Sequence, residues 1–376
     1  MASLIGVVTN PHSGKNRRRG GDRLQQLQQA VGRHGIVRQT KDLDELREVL
    51  GEFIDAGCDH WVSDGGDGTL HWMLSVGWQV ARERARRGGD AVPATLPRIV
   101  PANGGSIDFV AHKAGIRGQA TDVLRQLVES FERGHLLPAV ELDTLRMQGR
   151  YHAKSGARFR DKSGAEAAAA PGADPSVSAE SFERLGFASA IGGVAQRFFE
   201  KLYEHPTVDS RAIVTTLANS LGGAMLSTVP RSLDGLMPTS LRDFADEIFE
   251  PTRARVELDG QLLAYDDFAS LQVGSIDINL GGVVRTFRHA AAPGIMHAQA
   301  ISMSRWGVAA NLPNIVLGTP IWGDKVYDGP TRRLRATALP GGSLDPVIDG
   351  ELFFGLSELE VQAGPRLSIP AVCQAS

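Results

Sequence analysis

The chain has 376 residues, enough for roughly two domains at about 150 residues each. Apolar residues at 42% and charged residues at 22% are ordinary globular proportions, which excludes disorder along the whole chain. Forty Lys and Arg against 43 Asp and Glu leave a net charge of −3, so no bulk basic field argues for nucleic acid. In chain order, Leu4–Thr9 is a short β-branched apolar run that stops at Asn10-Pro11, a turn signal. The start, MASLIGVVTNPHSGK, lacks the basic opening and long apolar stretch of a secretory signal. Leu24–Val31 reads as helix, Gly35–Gln39 as strand, and Leu43–Ala56 as an amphipathic helix. His60–Ser63 is a strand broken by the glycines of Asp64-Gly65-Gly66-Asp67-Gly68, after which Thr69–Gly77 reads as helix. Arg98–Val100 is a further strand, running into Pro101-Ala102-Asn103-Gly104-Gly105, with a helix from about Asp108.

Strands alternating with helices predict a parallel sheet with both faces covered. Ligands of such sheets sit beyond the carboxyl ends of the strands, where all three turns fall. Near Pro138 the character changes, and short alternating segments take over: Arg253–Leu258, Ala269–Val273 and Asn314–Leu317. A second, mainly β domain is expected there, with some helix around Leu185–Tyr203. Ala153–Glu180, rich in Ala, Gly, Ser and charge, reads as a flexible insertion. The expected domains are therefore 1–138 and 139–376. Cys58 and Cys373 are too few for a disulfide framework, and no run of about 18 apolar residues crosses a bilayer. A reducing, cytoplasmic setting is expected.

Four segments carry candidate chemistry. In Gly65-Gly66-Asp67-Gly68-Thr69, consecutive glycines let backbone N–H groups approach an anion, and the helix that follows presents its positive end. A carboxylate at Asp67 suits a cation or a proton from an attacking hydroxyl, although a tight turn with an Asp helix cap would use the same residues. Asn10-Pro11-His12-Ser13-Gly14-Lys15 offers Asn10 and Ser13 as polar groups and Gly14 and Lys15 to phosphate oxygens; an ordinary Asn-Pro turn is the alternative. Gly104-Gly105-Ser106-Ile107-Asp108 is a third glycine turn opening a helix. Ile348-Asp349-Gly350-Glu351 reads, from position alone, as a hairpin turn. No His-Glu-x-x-His or Gly-x-Ser-x-Gly occurs, which argues against a zinc hydrolase or an α/β-hydrolase.

Taken together and in this order, the four segments resemble the diacylglycerol kinase catalytic family of lipid kinases, which includes sphingosine and ceramide kinases and is distantly related to NAD kinases. The resemblance implies an α/β nucleotide-binding domain with a parallel sheet and Gly-rich turns, a mainly β lipid-binding domain, and a cleft between them. It further implies that the C-terminal segment carries Asp349-Gly350-Glu351 back to that cleft. ATP phosphates would lie on Asn10, Ser13, Gly14, Lys15, Gly65, Gly66, Asp67, Gly68, Thr69, Gly105, Ser106 and Asp108. Asp349, or failing it Asp67, would accept the hydroxyl proton, with Asp67 and Glu351 meeting Mg²⁺ through the nucleotide. Two departures stand out. The third turn of the family reads Gly-Thr-x-Asn, whereas Gly105-Ser106-Ile107-Asp108 places a negative charge near phosphate that calls for a cation. Pro293-Gly294-Ile295-Met296-His297-Ala298 lacks the following Asp-Gly, so the structural Mg²⁺ site of some bacterial members is not expected.

The expected activity is ATP-dependent phosphorylation of a lipid hydroxyl, diacylglycerol first, with ceramide or a sphingoid base as the alternative acceptor. NAD kinase shares the second turn, but its Asn-Glu pair is not seen here. A non-catalytic nucleotide- or lipid-binding protein is the reading from another class. Expected partners are the lipid and a membrane surface, engaged peripherally from the cytoplasm. Lys15–Arg19 and Arg82–Arg87 are basic runs that either face solvent or attract anionic headgroups, and an exposed Trp among Trp72, Trp78, Trp306 and Trp322 would suit an interfacial anchor. A homodimer is left open.

Overall fold

The computed structural model describes residues 3–13, 15–16, 22–87, 95–105, 107–135, 137–152, 181–203, 215–216, 246–280 and 284–372, with the backbone of 158–160 and 166–168. Gly14, Arg17–Arg19, Ser106, Cys373 and most of Ala153–Glu180 lie outside the described residues. The chain divides into two compact units, one of residues 1–144, 170–174 and 365–376, the other of 145–169 and 175–364.

In the first unit the strands are β1 (Ile5–Thr9), β2 (Gly35–Gln39), β3 (His60–Asp64) and β4 (Arg98–Pro101), and the longer helices are α1 (Arg23–Val31), α2 (Leu43–Asp55) and α3 (Asp67–Arg87). A short α4 (Phe109–Lys113) and α5 (Ala120–Glu132) complete it before β5 (Ala139–Tyr151). The four strands are all parallel, in the order β2-β1-β3-β4. Every residue of β1 and β3 is buried, the mark of a sheet covered on both faces. Ile5, Val7, Val8, Trp61, Val62, Ile99 and Val100 are fully buried, each such side chain contributing roughly 1.5–3 kcal/mol. Gly6 and Gly77 are small for a reason: a Cβ would lie 2.4 Å from the Phe53 ring and 2.5 Å from the Trp61 ring.

Asp22 and Asp42 cap α1 and α2, accepting from Gln25 N–H and Glu45 N–H. The helix expected over Thr69–Gly77 starts earlier and runs on to Arg87, because Ala, Arg and Glu beyond Gly77 sustain a helix without an apolar face. Cys58 is buried, and burial, followed by the charges of Asp59 and Glu52, pushes its thiol up to about 11. The C-terminal residues return to this unit: Thr144 Oγ1 donates to Pro365 O at 2.8 Å, and Ala371 N–H to Pro138 O at 2.7 Å.

The second unit is mainly antiparallel. Two three-residue strands, β6 (Arg158–Arg160) and β7 (Glu166–Ala168), precede β8 (Ser181–Gly186) and β9 (Ala188–Gly193), and α6 (Val194–Tyr203) follows. Next come β10 (Thr252–Leu258), β11 (Gln261–Leu262), β12 (Asp267–Phe268), β13 (Ser270–Gly274), β14 (Ile278–Leu280), β15 (Val284–Thr286) and β16 (Met296–Ile301). The helices α7 (Arg305–Ala310) and α8 (Leu312–Leu317) lead into β17 (Val326–Thr331), β18 (Arg333–Ala338), β19 (Val347–Ile348), β20 (Glu351–Phe354) and β21 (Leu356–Pro370). One sheet runs β11-β10-β18-β21-β5-β8 with β12 also paired to β10, a second runs β17-β16-β13-β9-β19-β20-β6-β7, and β14 pairs with β15. Helix α6 lays Ala195, Phe199 and Tyr203 on Ala190, Val347 and Leu352 of the second sheet.

Two expectations are corrected here. Helix around Leu185–Tyr203 holds only for α6, since β8 and β9 take the first part as buried sheet. Asn314–Leu317 is helical, not strand: Pro313 opens α8 and Gly318, with φ 65°, closes it. A segment of four residues, three of them apolar, has no period to separate the two, so the flanking Pro and Gly are the decisive signals.

A polar cluster is buried in this unit on β16 and β17. Asp328 accepts from His297 Nε2 at 2.7 Å, Arg288 Nη2 at 2.6 Å, Gln299 Nε2 at 3.0 Å and Ile321 N–H at 3.2 Å. Burial alone would raise its carboxyl, but these hydrogen bonds outweigh burial and hold it well below the usual carboxylate range. A depressed folded-state value means the stabilisation is complete above the unfolded value and is lost as pH falls below about 4. Asp328→Asn is accordingly expected to cost about 3–5 kcal/mol at pH 7 by stranding Arg288 beside His297, with a smaller difference from wild type below pH 4. Thermal unfolding at the two pH values checks this; an equal difference at both would contradict it.

Candidate active site

Three turns meet at the carboxyl ends of β1, β3 and β4. Asn10 N–H donates to Asp64 O at 3.1 Å, and Asn10 Nδ2 to Thr69 Oγ1 at 3.2 Å, tying the first turn to the second. Gly104 N–H donates to Gly65 O at 3.0 Å, tying the third turn to the second. Lys15 N–H donates to Gly104 O at 3.1 Å, tying the first to the third. The glycines serve close approach here. A Cβ on Gly105 would lie 2.4 Å from Gly66 Cα, and one on Gly65 2.3 Å from Thr69 Oγ1.

The second turn runs into α3, a helix of 21 residues whose first residue, Asp67, is buried at 6% exposure. The first N–H groups of a helix have no acceptor within it and carry its positive end. Ser13 Oγ is buried with no partner among the described residues. A buried hydroxyl in want of a partner, glycine backbone and a helix N-terminus together fit a phosphate chain. Among the described residues no three His, Cys, Asp or Glu side chains are grouped to hold a metal ion.

Beneath the turns lies an anchor that sequence reasoning missed. Asp64, fully buried, accepts from Arg23 Nη2 at 2.6 Å, Arg23 Nε at 3.0 Å and Thr9 Oγ1 at 2.7 Å. Asn16 Nδ2 reaches Asp64 O at 3.0 Å and Asn10 O at 3.1 Å. Asp64 thus fixes where β1 ends and where the second turn begins. Lys15 and Asp108, read as separate phosphate contacts, pair with each other at 2.8 Å. Gly14 and Ser106 lie outside the described residues.

In the second unit, Asp349 and Gly350 have φ 49° and 91° and join β19 to β20, with Ile348 paired to Glu351. This is a two-residue hairpin, and Asp-Gly is the dipeptide such a turn takes. The turn does more than reverse the chain. Asp349 Oδ1 accepts from Phe187 N–H and Ala188 N–H, both at 3.0 Å, fixing the carboxylate against the β8–β9 corner. A Cβ on Gly186 would lie 2.6 Å from Asp349 Oδ2, so glycine makes that approach possible. Glu351 opens β20 and is buried at 4% exposure. Of the four tryptophans considered as anchors, Trp306 and Trp322 are 53% and 72% exposed, with Leu317 at 65%.

A cavity of about 210 Å³ lies at the other end of the parallel sheet, lined by Ser3, Asp59, His60, Arg98 and His135 among others, away from the turns. No helix among the described residues is long and apolar enough to cross a membrane.

Residues 5–135 match the family model of the diacylglycerol kinase catalytic domain. Among solved structures, a diacylglycerol kinase from Bacillus anthracis str. Sterne is similar at TM-score 0.51 and 12% identity, over 98% of this chain and 96% of that one. Two further structures from that organism, described provisionally as diacylglycerol kinases, are similar at TM-scores 0.55 and 0.54, with 13% and 11% identity. Both cover 98% of this chain and 96% and 97% of their own. At such identities the likeness speaks for the fold, an α/β unit followed by a mainly antiparallel one. No curated relative matches the chain.

Proposed function

We propose, from the premise that residues 5–135 are a diacylglycerol kinase catalytic domain, that the chain is an ATP- and Mg²⁺-dependent kinase acting on a lipid hydroxyl, diacylglycerol above all. The observation that carries this reading is the joining of three turns by hydrogen bonds at one end of a parallel sheet, opening onto α3. On this reading the backbone of Gly65 to Thr69 and the Ser13 hydroxyl hold the phosphates, and Asn10 keeps Thr69 in place. Asp67 and Glu351 would be the carboxylates to meet a nucleotide-bound Mg²⁺, which would supply positive charge to the phosphates. Asp349, with Asp67 as second candidate, takes the acceptor hydroxyl's proton as oxygen bonds to the γ-phosphorus and ADP leaves. The N–H groups of Phe187 and Ala188 fix the orientation of that carboxylate, so little reorganisation is asked of it during transfer. The exposure of Trp306, Trp322 and Leu317 supports a peripheral stay at a lipid surface, where such side chains settle at the interface.

The test is incubation of the full chain with labelled ATP, Mg²⁺ and separate micelles of diacylglycerol, ceramide and a sphingoid base, with sedimentation on lipid vesicles alongside. Label in the diacylglycerol product, abolished by EDTA, is the expected result. Label only in ceramide or the sphingoid base would reassign the acceptor. ATP bound with no lipid labelled at all would leave a nucleotide-binding protein and overturn the kinase reading.

A further inference from the structure

The Lys15–Asp108 pair answers the charge problem posed by the third turn. Asp108 is 3% exposed and sits in the left-handed region, φ 53° and ψ 44°, which Asp and Asn tolerate better than other side chains. Its Oδ1 accepts from Gly105 N–H at 2.8 Å, so it closes the turn on itself. Its Oδ2 accepts from Lys15 Nζ at 2.8 Å. Lys15 Nζ also donates to Asn103 Oδ1 at 3.1 Å, and lies 3.4 Å from Asn103 O, and Asn103 is itself left-handed at φ 57°. The ammonium is thus held by the third turn on several sides, while its own backbone N–H donates to Gly104 O.

We propose that Lys15 and Asp108 work as one charge-neutral latch: Asp108 shapes the third turn, and Lys15 cancels its carboxylate so that an anionic nucleotide can lie beside it. Lys15 is then a positioning residue, not a phosphate contact in its own right. The inference rests on the nucleotide-binding part of the reading above. Its physical consequence is strong coupling between the two positions. Without Lys15, a buried carboxylate faces the phosphates uncompensated. Without both charges, the turn keeps its shape, because Asn at 108 still accepts from Gly105 N–H and still tolerates the left-handed backbone.

The test is equilibrium binding of MgATP to the full chain by titration calorimetry, for wild type, Lys15→Met, Asp108→Asn and the double variant, each with its thermal midpoint. Lys15→Met is expected to weaken binding about 30-fold, within the range of coupling energies seen for contacting charged pairs. Asp108→Asn and the double variant are each expected to bind within about threefold of wild type. In turnover, the Lys15→Met loss is expected in the KM for ATP, with kcat little changed. A double variant as weak as Lys15→Met would make Lys15 a direct phosphate contact and overturn the latch. So would a Lys15→Met variant that binds like wild type. Should Lys15→Met fail to fold, the double variant still decides, since the latch demands near-native binding and a direct contact forbids it. Wild-type protein that binds no MgATP would sink both this inference and the kinase reading; ATP binding without lipid phosphorylation would sink only the latter.

Discussion

Asp64→Ala is expected to lower the stability of the first unit by about 3–5 kcal/mol, more than any nearby surface change. Its carboxylate is fully buried, and Arg23, only 12% exposed, loses both of the oxygens it grips. Thr9 loses its acceptor in the same substitution. The cost is that of a buried cation left without its counter-ion, not the net worth of the pair. Hence Asp64→Leu combined with Arg23→Met is expected to be milder than Asp64→Ala alone. Thermal and urea unfolding of both variants check the claim. A loss under about 1 kcal/mol for Asp64→Ala would mean that Arg23 finds water or another acceptor, and that the turns do not depend on this anchor.

Asp67→Asn addresses the chemistry. Asp67 opens α3, where a carboxylate is favoured by the helix dipole by about 0.3–1 kcal/mol, so the fold is expected to survive the change. Phosphoryl transfer, by contrast, is expected to fall by roughly 10² to 10⁴, the range for losing a positioned acid–base or cation-orienting group. Steady-state kinetics with saturating lipid, alongside the thermal midpoint, separate the two effects. Activity within about tenfold of wild type would reduce Asp67 to a helix-starting residue and shift the chemistry elsewhere.

The parallel sheet was legible because its strands are short β-branched runs that each end in a turn signal, and the turns carry their own glycines. The anchor was not. Asp64 reads as one more polar residue in a turn, and its partner Arg23 lies 41 positions earlier with no local pattern to join them. Lys15 and Asp108, 93 positions apart, each look available to a ligand until the fold brings them together. At Asp349 position alone spoke for a hairpin, and the hairpin is there; that its carboxylate also takes the N–H groups of Phe187 and Ala188 depends on a strand corner over 160 residues away. Pairings across such distances depend on topology, which periodicity and composition do not encode. The Asn314–Leu317 error has a different origin: α8 is so short that only its boundaries were informative.

Because residues 365–376 belong with residues 1–144, the first unit is discontinuous, and its pieces are separated by most of the second unit's chain. Thr144 meets Pro365, and Pro138 meets Ala371, only after the whole intervening chain has been synthesised. A fragment ending near residue 138 therefore lacks part of its own unit, and the glycine turns can be present in full while the unit that carries them is still incomplete.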